Sequence, residues 1–489
     1  MVEQDSRDGG IPGSAGQERA WQDRMRTLLR TNPSERPDEQ PEGMHEGPAV
    51  GPVAGPVTGP VAERAAGPVA GLAAGPVETT GTNQTPRVRS VLDLALRLGE
   101  LLLASGEAAE DVEAGMLAVV HGYGLVRCDV NVTFTMLTIA YQATLADPAW
   151  TASRGVRRRG SDYTRLAAAH DLVRDIGEGG MTVEEAYRRL LEIRRRRQTY
   201  SEWQTAGMTA LLAGAASVLV GGSWLVFLSA CLGALVGHLL ASALAVRGLP
   251  EFYQYAAAAM PAATAAIALD LAHAEVRSSA VITGGLFALL PGRALVAAVQ
   301  DGLTAFYITS AARLIEVFYI IVGIVCGISV VLRGGIAFGI DLNPADNLLI
   351  PSRPWLQTLA AAVLGLTFGV VLQVRQRLLG YAAVSAALVW ICDAGLLKGG
   401  VSPTIAVAAT SVLLGLGGQL IARRHATSGL PFTIPGLVAL LPGSQTYLGV
   451  LFIVRGQTGF GAAHLFTAAS TGLGLAVGVN LGGELARLI

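Results

Sequence analysis

The sequence is poor in cysteine and lacks the common motifs for metal, nucleotide or hydrolytic chemistry. Its four cysteines are scattered, with no CxxC pair and no histidine at ligand spacing, so we expect apolar packing rather than disulfides or a zinc site. No Gly-x-x-x-x-Gly-Lys-Ser/Thr loop for ATP occurs, and neither His-Glu-x-x-His nor Gly-x-Ser-x-Gly is present. We therefore predict no enzyme activity, no metal and no cofactor.

Net charge is equally scarce. The formal net charge is −1 at pH 7, so no global field favours nucleic acid as a partner. The chain does not open with the basic and then apolar pattern of a secretory signal. The first apolar run able to enter a bilayer follows only after Tyr200, and we therefore expect the preceding part to stay cytoplasmic.

Proline and glycine are abundant in one region, residues 1–87, which repeats the triplet Gly-Pro-Val several times. Proline and glycine every few residues prevent helix and sheet, and the remaining residues are too small or too polar to form a core. We predict a disordered tail.

Residues 88–198 have the patterns of a small cytoplasmic α+β domain. Apolar residues at helical spacing precede Gly106, a predicted C-cap, and a second helix is predicted over Glu107–His121. Residues 127–137 alternate polar and apolar positions, which predicts one half-buried strand. Two further helices are predicted near Tyr163–Ile176 and after the capping-box pattern Thr182-x-x-Glu185.

Ten apolar runs after residue 198, separated by charges and turn residues, predict a polytopic membrane protein with ten transmembrane helices. They are residues 203–221, 224–246, 252–272, 278–299, 303–331, 355–374, 378–397, 401–421, 430–453 and 460–486. We divide them into two repeats, residues 199–333 and 355–489, joined by a connecting loop at 334–354.

One phrase occurs in each repeat, as Phe287-Ala-Leu-Leu-Pro-Gly292 and as Val438-Ala-Leu-Leu-Pro-Gly443. It lies in the fourth and the ninth span, so each repeat has five spans and ends on the side opposite to its start. The two repeats are then inverted relative to each other, as in many secondary transporters.

The dipeptides Pro291-Gly292 and Pro442-Gly443 are predicted to break their helices in mid-membrane. The freed backbone N–H and C=O groups can bind the carboxylate and the ammonium of a zwitterion. We therefore assign all four residues to substrate binding. A simple proline kink is the alternative.

Charged residues inside the spans form the second signal, because burying a charge in a bilayer costs about 2.5–3.5 kcal/mol even on the lenient insertion scale. Arg313 and Glu316 lie one helical turn apart and are predicted to pair, and Asp301 lies just before them. We assign proton coupling to Asp301 or Glu316. Arg313 would lower a neighbour's pKa or bind a substrate carboxylate. A structural ion pair near the interface is the alternative.

Neutral polar residues supply the remaining candidate contacts. Ser444 and Gln445 directly follow the second Pro-Gly, and Asn480 lies in the tenth span, where such groups suit a solute with a hydroxyl or an amide. Helix–helix hydrogen bonding is the alternative. His464 falls at the repeat position of Arg313, which suggests a ligand or a proton relay. Asp393 lies nearer a predicted helix end and is interpreted as a capping or snorkelling residue.

Several short motifs follow one another between residues 88 and 489. They are Leu96-Arg-Leu-Gly-Glu-Leu-Leu-Leu-Ala-Ser-Gly106, Asp111-Val-Glu, Cys128-Asp-Val-Asn-Val-Thr-Phe-Thr, Val156-Arg-Arg-Arg-Gly-Ser-Asp-Tyr163, Tyr200-Ser-Glu-Trp203, Gly221-Gly-Ser-Trp224, Leu290-Pro-Gly-Arg293 with Asp301-Gly302, and Leu441-Pro-Gly443. Together they resemble the bacterial threonine/serine exporter family, whose members carry a soluble domain ahead of their membrane helices. The Gly-Pro-Val tail lies outside the resemblance.

The resemblance implies a proton-motive-force-driven antiporter that exports L-threonine and L-serine. Its partners would be these amino acids, protons and the lipid bilayer, and a homo-oligomer is compatible with the sequence. Arginines concentrate at one set of span ends, which favours a multi-pass protein of the cell membrane with both termini cytoplasmic.

Two other hypotheses concern residues 88–198. The first is a domain that hydrolyses small peptides or amides and passes on the product, with His121 and Asp129 as candidate residues. The second is a regulatory segment, in which Arg194–Arg197 hold the domain against anionic lipid.

Overall fold

The computed structural model describes residues 84–144, 147–156, 160, 162–273, 277–339, 353–425 and 428–489. Within it, Val88–Ile489 forms one compact unit. The tail predicted at 1–87 lies outside the described residues except for 84–87, which begin the first helix. The domain boundaries drawn from the sequence stay predictions.

The N-terminal segment, residues 84–198, is built from four helices and three strands. These are α1 (Gln84–Ser105), α2 (Ala109–Gly122), β1 (Cys128–Val132), β2 (Met136–Tyr141), β3 (Trp150–Gly155), α3 (Tyr163–Gly177) and α4 (Val183–Arg195). The four helices lie where the sequence predicted them. Thr182 and Glu185 form the predicted capping box at the start of α4.

The single strand predicted over residues 127–137 is wrong, because this stretch turns back on itself. The β1 strand pairs with β2 in antiparallel register, with Val130 opposite Ile139, and β3 adds a third antiparallel strand to β2. The turn is closed by Thr133, whose hydroxyl accepts a hydrogen bond from the Met136 N–H at 3.2 Å. Local bonding by a threonine side chain therefore interrupts a run that is otherwise strand-like.

Twelve further helices follow the N-terminal segment. They are α5 (Glu202–Leu219), α6 (Trp224–Val246), α7 (Glu251–Leu271), α8 (Ser278–Leu289), α9 (Gly292–Leu303), α10 (Tyr307–Ala337), α11 (Pro354–Val371), α12 (Leu379–Lys398), α13 (Pro403–His425), α14 (Leu430–Leu437), α15 (Gly443–Val454) and α16 (Thr458–Leu488). Single 3-10 turns precede α12 and extend α14 to Leu440.

Six of these helices are long and apolar enough to cross a membrane, and the number rises to eight if each of two bent pairs counts as one span. The six are α6, α10, α11, α12, α13 and α16, and the bent pairs are α8 with α9 and α14 with α15. The chain is thus a mostly helical, polytopic membrane protein. Two of the ten predicted spans, which correspond to α5 and α7, are long enough but not apolar enough to be counted.

Both Pro-Gly dipeptides interrupt their helices, as the sequence predicted. The first pair of helices is bent by 49° and the second by 45°. Pro291 has φ −81° and ψ 49°, and Pro442 has φ −80° and ψ 50°. The preceding residue, Leu290 or Leu441, is extended in each case, because a proline ring disfavours helical geometry in the residue before it.

The helices after the two breaks match at one constant offset in the sequence. Both α9 and α15 have 12 residues, and both α10 and α16 have 31. Packing partners repeat as well, since α5 contacts α6 as α11 contacts α12, and α7 contacts α10 as α13 contacts α16. Gly327 of α10 and its equivalent Gly478 of α16 each pack directly on a backbone carbonyl, of Ala256 and Ala408 respectively, where a Cβ would overlap.

Candidate functional site

The two helix breaks contact each other. A Cβ added to Gly292 would lie 2.9 Å from Leu441 Cδ2, and one added to Gly443 would lie 2.5 Å from Phe287 Cε2. Each glycine thus receives an apolar side chain from the other repeat. The structure therefore brings the predicted residues Pro291, Gly292, Pro442 and Gly443 together.

Three of the polar residues predicted to bind substrate lie on α15 and α16, with Ser444 and Gln445 directly after the second break. Asn480 donates a hydrogen bond to the carbonyl of Ala476 at 2.9 Å and contacts that of Val296 on α9 at 3.4 Å. Gln445 Oε1 lies 2.7 Å from Nδ1 of His464, and Ser444 is half-buried in the first turn of α15. Asn480 thus links the second repeat to the first through α9.

Asp301 and Arg313 form a buried ion pair between α9 and α10. Arg313 Nε lies 3.0 Å from Asp301 Oδ2, and both side chains are almost fully buried. The sequence predicted that Arg313 pairs with Glu316 on the same helix; the ion pair with Asp301 joins two helices and was not predicted. Glu316 is half-buried, and its charge acts on the nearby Tyr255.

The ion pair also holds the connection between α1 and α2, here called the junction loop (Ser105–Ala109). The Ala109 N–H donates a hydrogen bond to Asp301 Oδ1 at 2.7 Å. Arg313 donates one to the carbonyl of Glu107 at 2.6 Å. Sequence patterns gave no sign that the N-terminal segment reaches the charges of α9 and α10.

A third contact fixes the junction loop to the first turn of α9. Arg293 donates a hydrogen bond to the carbonyl of Ser105 at 3.3 Å. Gly106 has φ +99°, and the guanidinium of Arg293 occupies the space that a Cβ at this position would need. Only glycine fits here. Arg293 lies two residues after Pro291, so the loop ends beside the broken helix.

Two acidic side chains of the N-terminal segment extend this charged junction. Glu107 is buried and lies 2.7 Å from His170 Nε2. Asp111 accepts a hydrogen bond from Gln300 at 3.2 Å and lies 3.8 Å from an Arg487 nitrogen. The sequence analysis assigned no role to any of these residues. The motifs that carried the family resemblance nevertheless include Asp111, Arg293 and the stretch that ends just before Glu107.

Protonation at the junction is shifted from its ordinary range. Desolvation by the surrounding protein and, next, the charge of Glu107 raise the pKa of Asp111 to about 7, although about a third of its side-chain surface is exposed. The positive charge of Arg487 acts in the opposite direction. Desolvation lowers the pKa of His170, but the hydrogen bond and charge of Glu107 outweigh it, so that this pKa is raised overall. Both groups therefore favour their protonated forms.

The N-terminal segment also contacts the connection between α11 and α12. The Tyr163 N–H donates to the carbonyl of Leu372 at 3.1 Å, and the Tyr200 hydroxyl donates to that of Val374 at 3.0 Å. Gln373 accepts from the Tyr200 N–H at 2.9 Å. Tyr200 lies between the segment and α5, whereas residues 84–198 themselves touch both ends of α9, the ends of α11 and α16 and the start of α10.

Within the described parts of the chain, no group of three or more His, Cys, Asp or Glu residues could hold a metal ion. His121 lies at the end of α2, whereas Asp129 is exposed on β1.

Two broken helices that contact each other, together with a buried ion pair between two further apolar helices, are typical of polytopic membrane transport proteins. Comparisons with known proteins agree with this class. A family model described as "Putative threonine/serine exporter" matches residues 93–334, and one described as "Threonine/Serine exporter, ThrE" matches residues 357–483. No solved structure matches the chain.

Two relatives extend the match over most of the chain. The chain is 33% identical over 417 residues to a probable threonine/serine exporter of Mycobacterium tuberculosis, covering 83% of this chain and 78% of the relative. It is 29% identical over 429 residues to a threonine/serine exporter of Corynebacterium glutamicum, covering 82% and 83%. The chain belongs to the threonine/serine exporter family, so it is an export transporter and a multi-pass protein of the inner membrane. The relatives are named as exporters, not enzymes, which gives the hydrolytic hypothesis no support.

Proposed function

We propose that this protein exports L-threonine and L-serine from the cytoplasm in exchange for protons, driven by the proton motive force. The observation that carries the proposal is the contact between two broken helices, one from each repeat, together with the buried Asp301–Arg313 pair on the helices that follow the first break. The names of both relatives supply the substrates. Broken helices meeting between repeats are the usual site of a solute in secondary transporters.

The membrane part consists of ten spans in two inverted repeats of five. Support comes from the equal lengths of the matched helices and from the repeated packing partners. In this arrangement α5 and α7 count as spans, shielded from lipid by their neighbours. An odd number of spans per repeat requires the inversion.

Substrate binds where the two breaks meet. Backbone groups released at Pro291-Gly292 and Pro442-Gly443 bind the charged ends of the amino acid, together with Arg313. Ser444, Gln445 and Asn480 contribute polar contacts from the second repeat. Arg313 lies on α10 and Asn480 on α16, the helices that follow α9 and α15 in each repeat.

Proton coupling belongs to an intramembrane carboxylate. Asp301 and Glu316 are the candidates from the sequence, and the structure adds Asp393. This residue of α12 is 6% exposed rather than capping a helix end, and its Oδ1 has no hydrogen-bond partner among the described residues. A carboxylate without a partner in an apolar setting favours its protonated form.

Both termini are cytoplasmic. The N-terminal segment contacts several helix ends that the arginine distribution assigns to the cytoplasmic side, those near Gln300, Leu372 and Arg487.

Efflux of labelled threonine from cells tests the proposal. Cells with the wild-type chain should lose threonine faster than cells with the Arg313→Gln variant, and a protonophore should remove the difference. Equal efflux from both, with both proteins present in the membrane in equal amounts, would contradict the proposed export.

A further inference from the structure

Backbone atoms of the junction loop contact both members of the Asp301–Arg313 pair. The Glu107 carbonyl accepts from Arg313 at 2.6 Å, and the Ala109 N–H donates to Asp301 at 2.7 Å. These two backbone groups are two residues apart, and the two side chains that they contact lie 3.0 Å from each other. One small region of the loop thus satisfies both members of the buried pair.

The pattern of these contacts matches a free α-amino acid. A guanidinium facing an acceptor oxygen, next to a carboxylate facing an N–H donor, is what the carboxylate and the ammonium of a zwitterion require. Because the guanidinium and the carboxylate are so close, one amino acid can reach both at once. The backbone of the junction loop offers a neutral version of the same two groups.

We propose that Asp301 and Arg313 form a cytoplasmic binding site for the ammonium and the carboxylate of an α-amino acid, and that the junction loop occupies this site as a tethered competitor. The inference rests on the proposed export function and adds the entry site of that pathway. Substrate enters by displacing Glu107 and Ala109 from the pair. The charged zwitterion makes stronger hydrogen bonds than the neutral backbone groups that it replaces.

Arg293 holds the loop in place without belonging to the site. Its hydrogen bond to the Ser105 carbonyl and its packing on Gly106 fix the loop at the first turn of α9. Removing this contact weakens the competitor and leaves Asp301 and Arg313 intact. The apparent affinity for substrate then rises, because a competitor tethered at the site reduces the fraction of open sites.

The hydroxyl of Tyr163 lies near the junction loop and has no hydrogen-bond partner among the described residues. The Tyr163 side chain is 1% exposed. It lies close enough to Arg293 and Glu107 for both charges to act on it. Buried hydroxyls are normally paired, and the side-chain hydroxyl of threonine or serine satisfies this one once the loop has moved.

Hydrogen exchange on the full-length wild-type protein tests the displacement. L-threonine should speed exchange of the Ala109 amide, because this amide loses its acceptor when substrate binds Asp301. D-threonine at the same concentration is the control for non-specific effects. Unchanged or slower exchange at Ala109, in a preparation that transports L-threonine, would overturn the inference and leave the export function standing.

Transport by an Arg293→Gln variant provides a second readout. The KM for threonine should fall by about fivefold, the equivalent of one net hydrogen bond, with kcat maintained. Arg333→Gln is the matched control, because Arg333 also donates to a backbone carbonyl, that of Val454 at 2.8 Å, away from the junction loop. A KM that rises in Arg293→Gln but not in Arg333→Gln would contradict the proposal that the junction loop competes with substrate. If the wild-type chain itself transports no threonine, the proposed function fails and the inference with it.

Discussion

Asp301 on α9 and Arg313 on α10 form a buried ion pair at 3.0 Å, and each of them also holds a backbone group of the junction loop. The membrane helices and the N-terminal segment therefore share one charged centre. Two charges are costly to bury even as a pair, and a purely structural contact could be made by apolar residues. Such a cost is expected if the pair binds substrate, as proposed above.

Breaking the pair should destabilise the protein. Removing one member of a buried ion pair leaves the other charge without its partner and costs about 3–5 kcal/mol. We expect Asp301→Asn to lower the midpoint of thermal unfolding in detergent, and Asp301→Asn with Arg313→Gln to recover part of the loss. The exposed Arg377→Gln is the control and should leave the midpoint unchanged. Equal midpoints for Asp301→Asn and wild type would show that the ion pair does not stabilise the folded protein.

Packing of the N-terminal segment on the membrane helices should weaken as pH rises. Folding raises the pKa of Asp111 from 3.8 to about 7, so the folded state binds more protons between these values and loses stability as pH increases through them. The raised pKa of His170 acts in the same direction. Protonated His170 stabilises the folded state at low pH, and this stabilisation is lost as pH rises through the pKa of His170 in the folded state.

The measurement is hydrogen exchange of α2 amides between pH 5 and pH 8, corrected for the intrinsic effect of pH on exchange. Wild type should show faster corrected exchange at the higher pH, and Asp111→Asn should show a smaller change. A stronger pH dependence in Asp111→Asn than in wild type would contradict the prediction that Asp111 destabilises this packing as pH rises.

The contact between the two breaks should tolerate no added atom. Gly443→Ala introduces a Cβ against Phe287, and overpacking of this kind costs about 1–3 kcal/mol. We expect slower threonine efflux and partial recovery when Phe287→Leu is added. Gly417→Ala is the matched control, because nothing lies within 4 Å of that Cβ position. If Gly443→Ala and Gly417→Ala slow efflux equally, the close contact at the second helix break is not specifically required for transport.

Asp393 distinguishes proton coupling from substrate binding. An Asp393→Asn variant cannot exchange a proton at this position, so we expect threonine to equilibrate across the membrane without being concentrated against a gradient. Asp270→Asn is the control, since Asp270 is partly exposed near the end of α7. Concentrative export by Asp393→Asn at the wild-type level would exclude this carboxylate.

Local sequence features predicted the helix breaks and the helices of the N-terminal segment, because proline geometry and apolar periodicity act over a few residues. The hairpin at Thr133 was missed, since it depends on one side chain bonding to Met136. The ion pair between Arg313 and Asp301 was not predicted, because it joins two helices rather than one helical turn. The junction loop was not predicted at all, because contacts between Ala109 and Asp301 join residues far apart in the chain.

Transport by the purified chain in liposomes, with and without an imposed proton gradient, tests the central claim most directly. We predict that labelled L-threonine accumulates on one side only when the gradient is present, and that Gly443→Ala abolishes most of this accumulation while Gly417→Ala does not. Threonine accumulation without a gradient, or none under either condition, would contradict proton-driven export through the meeting point of the two helix breaks.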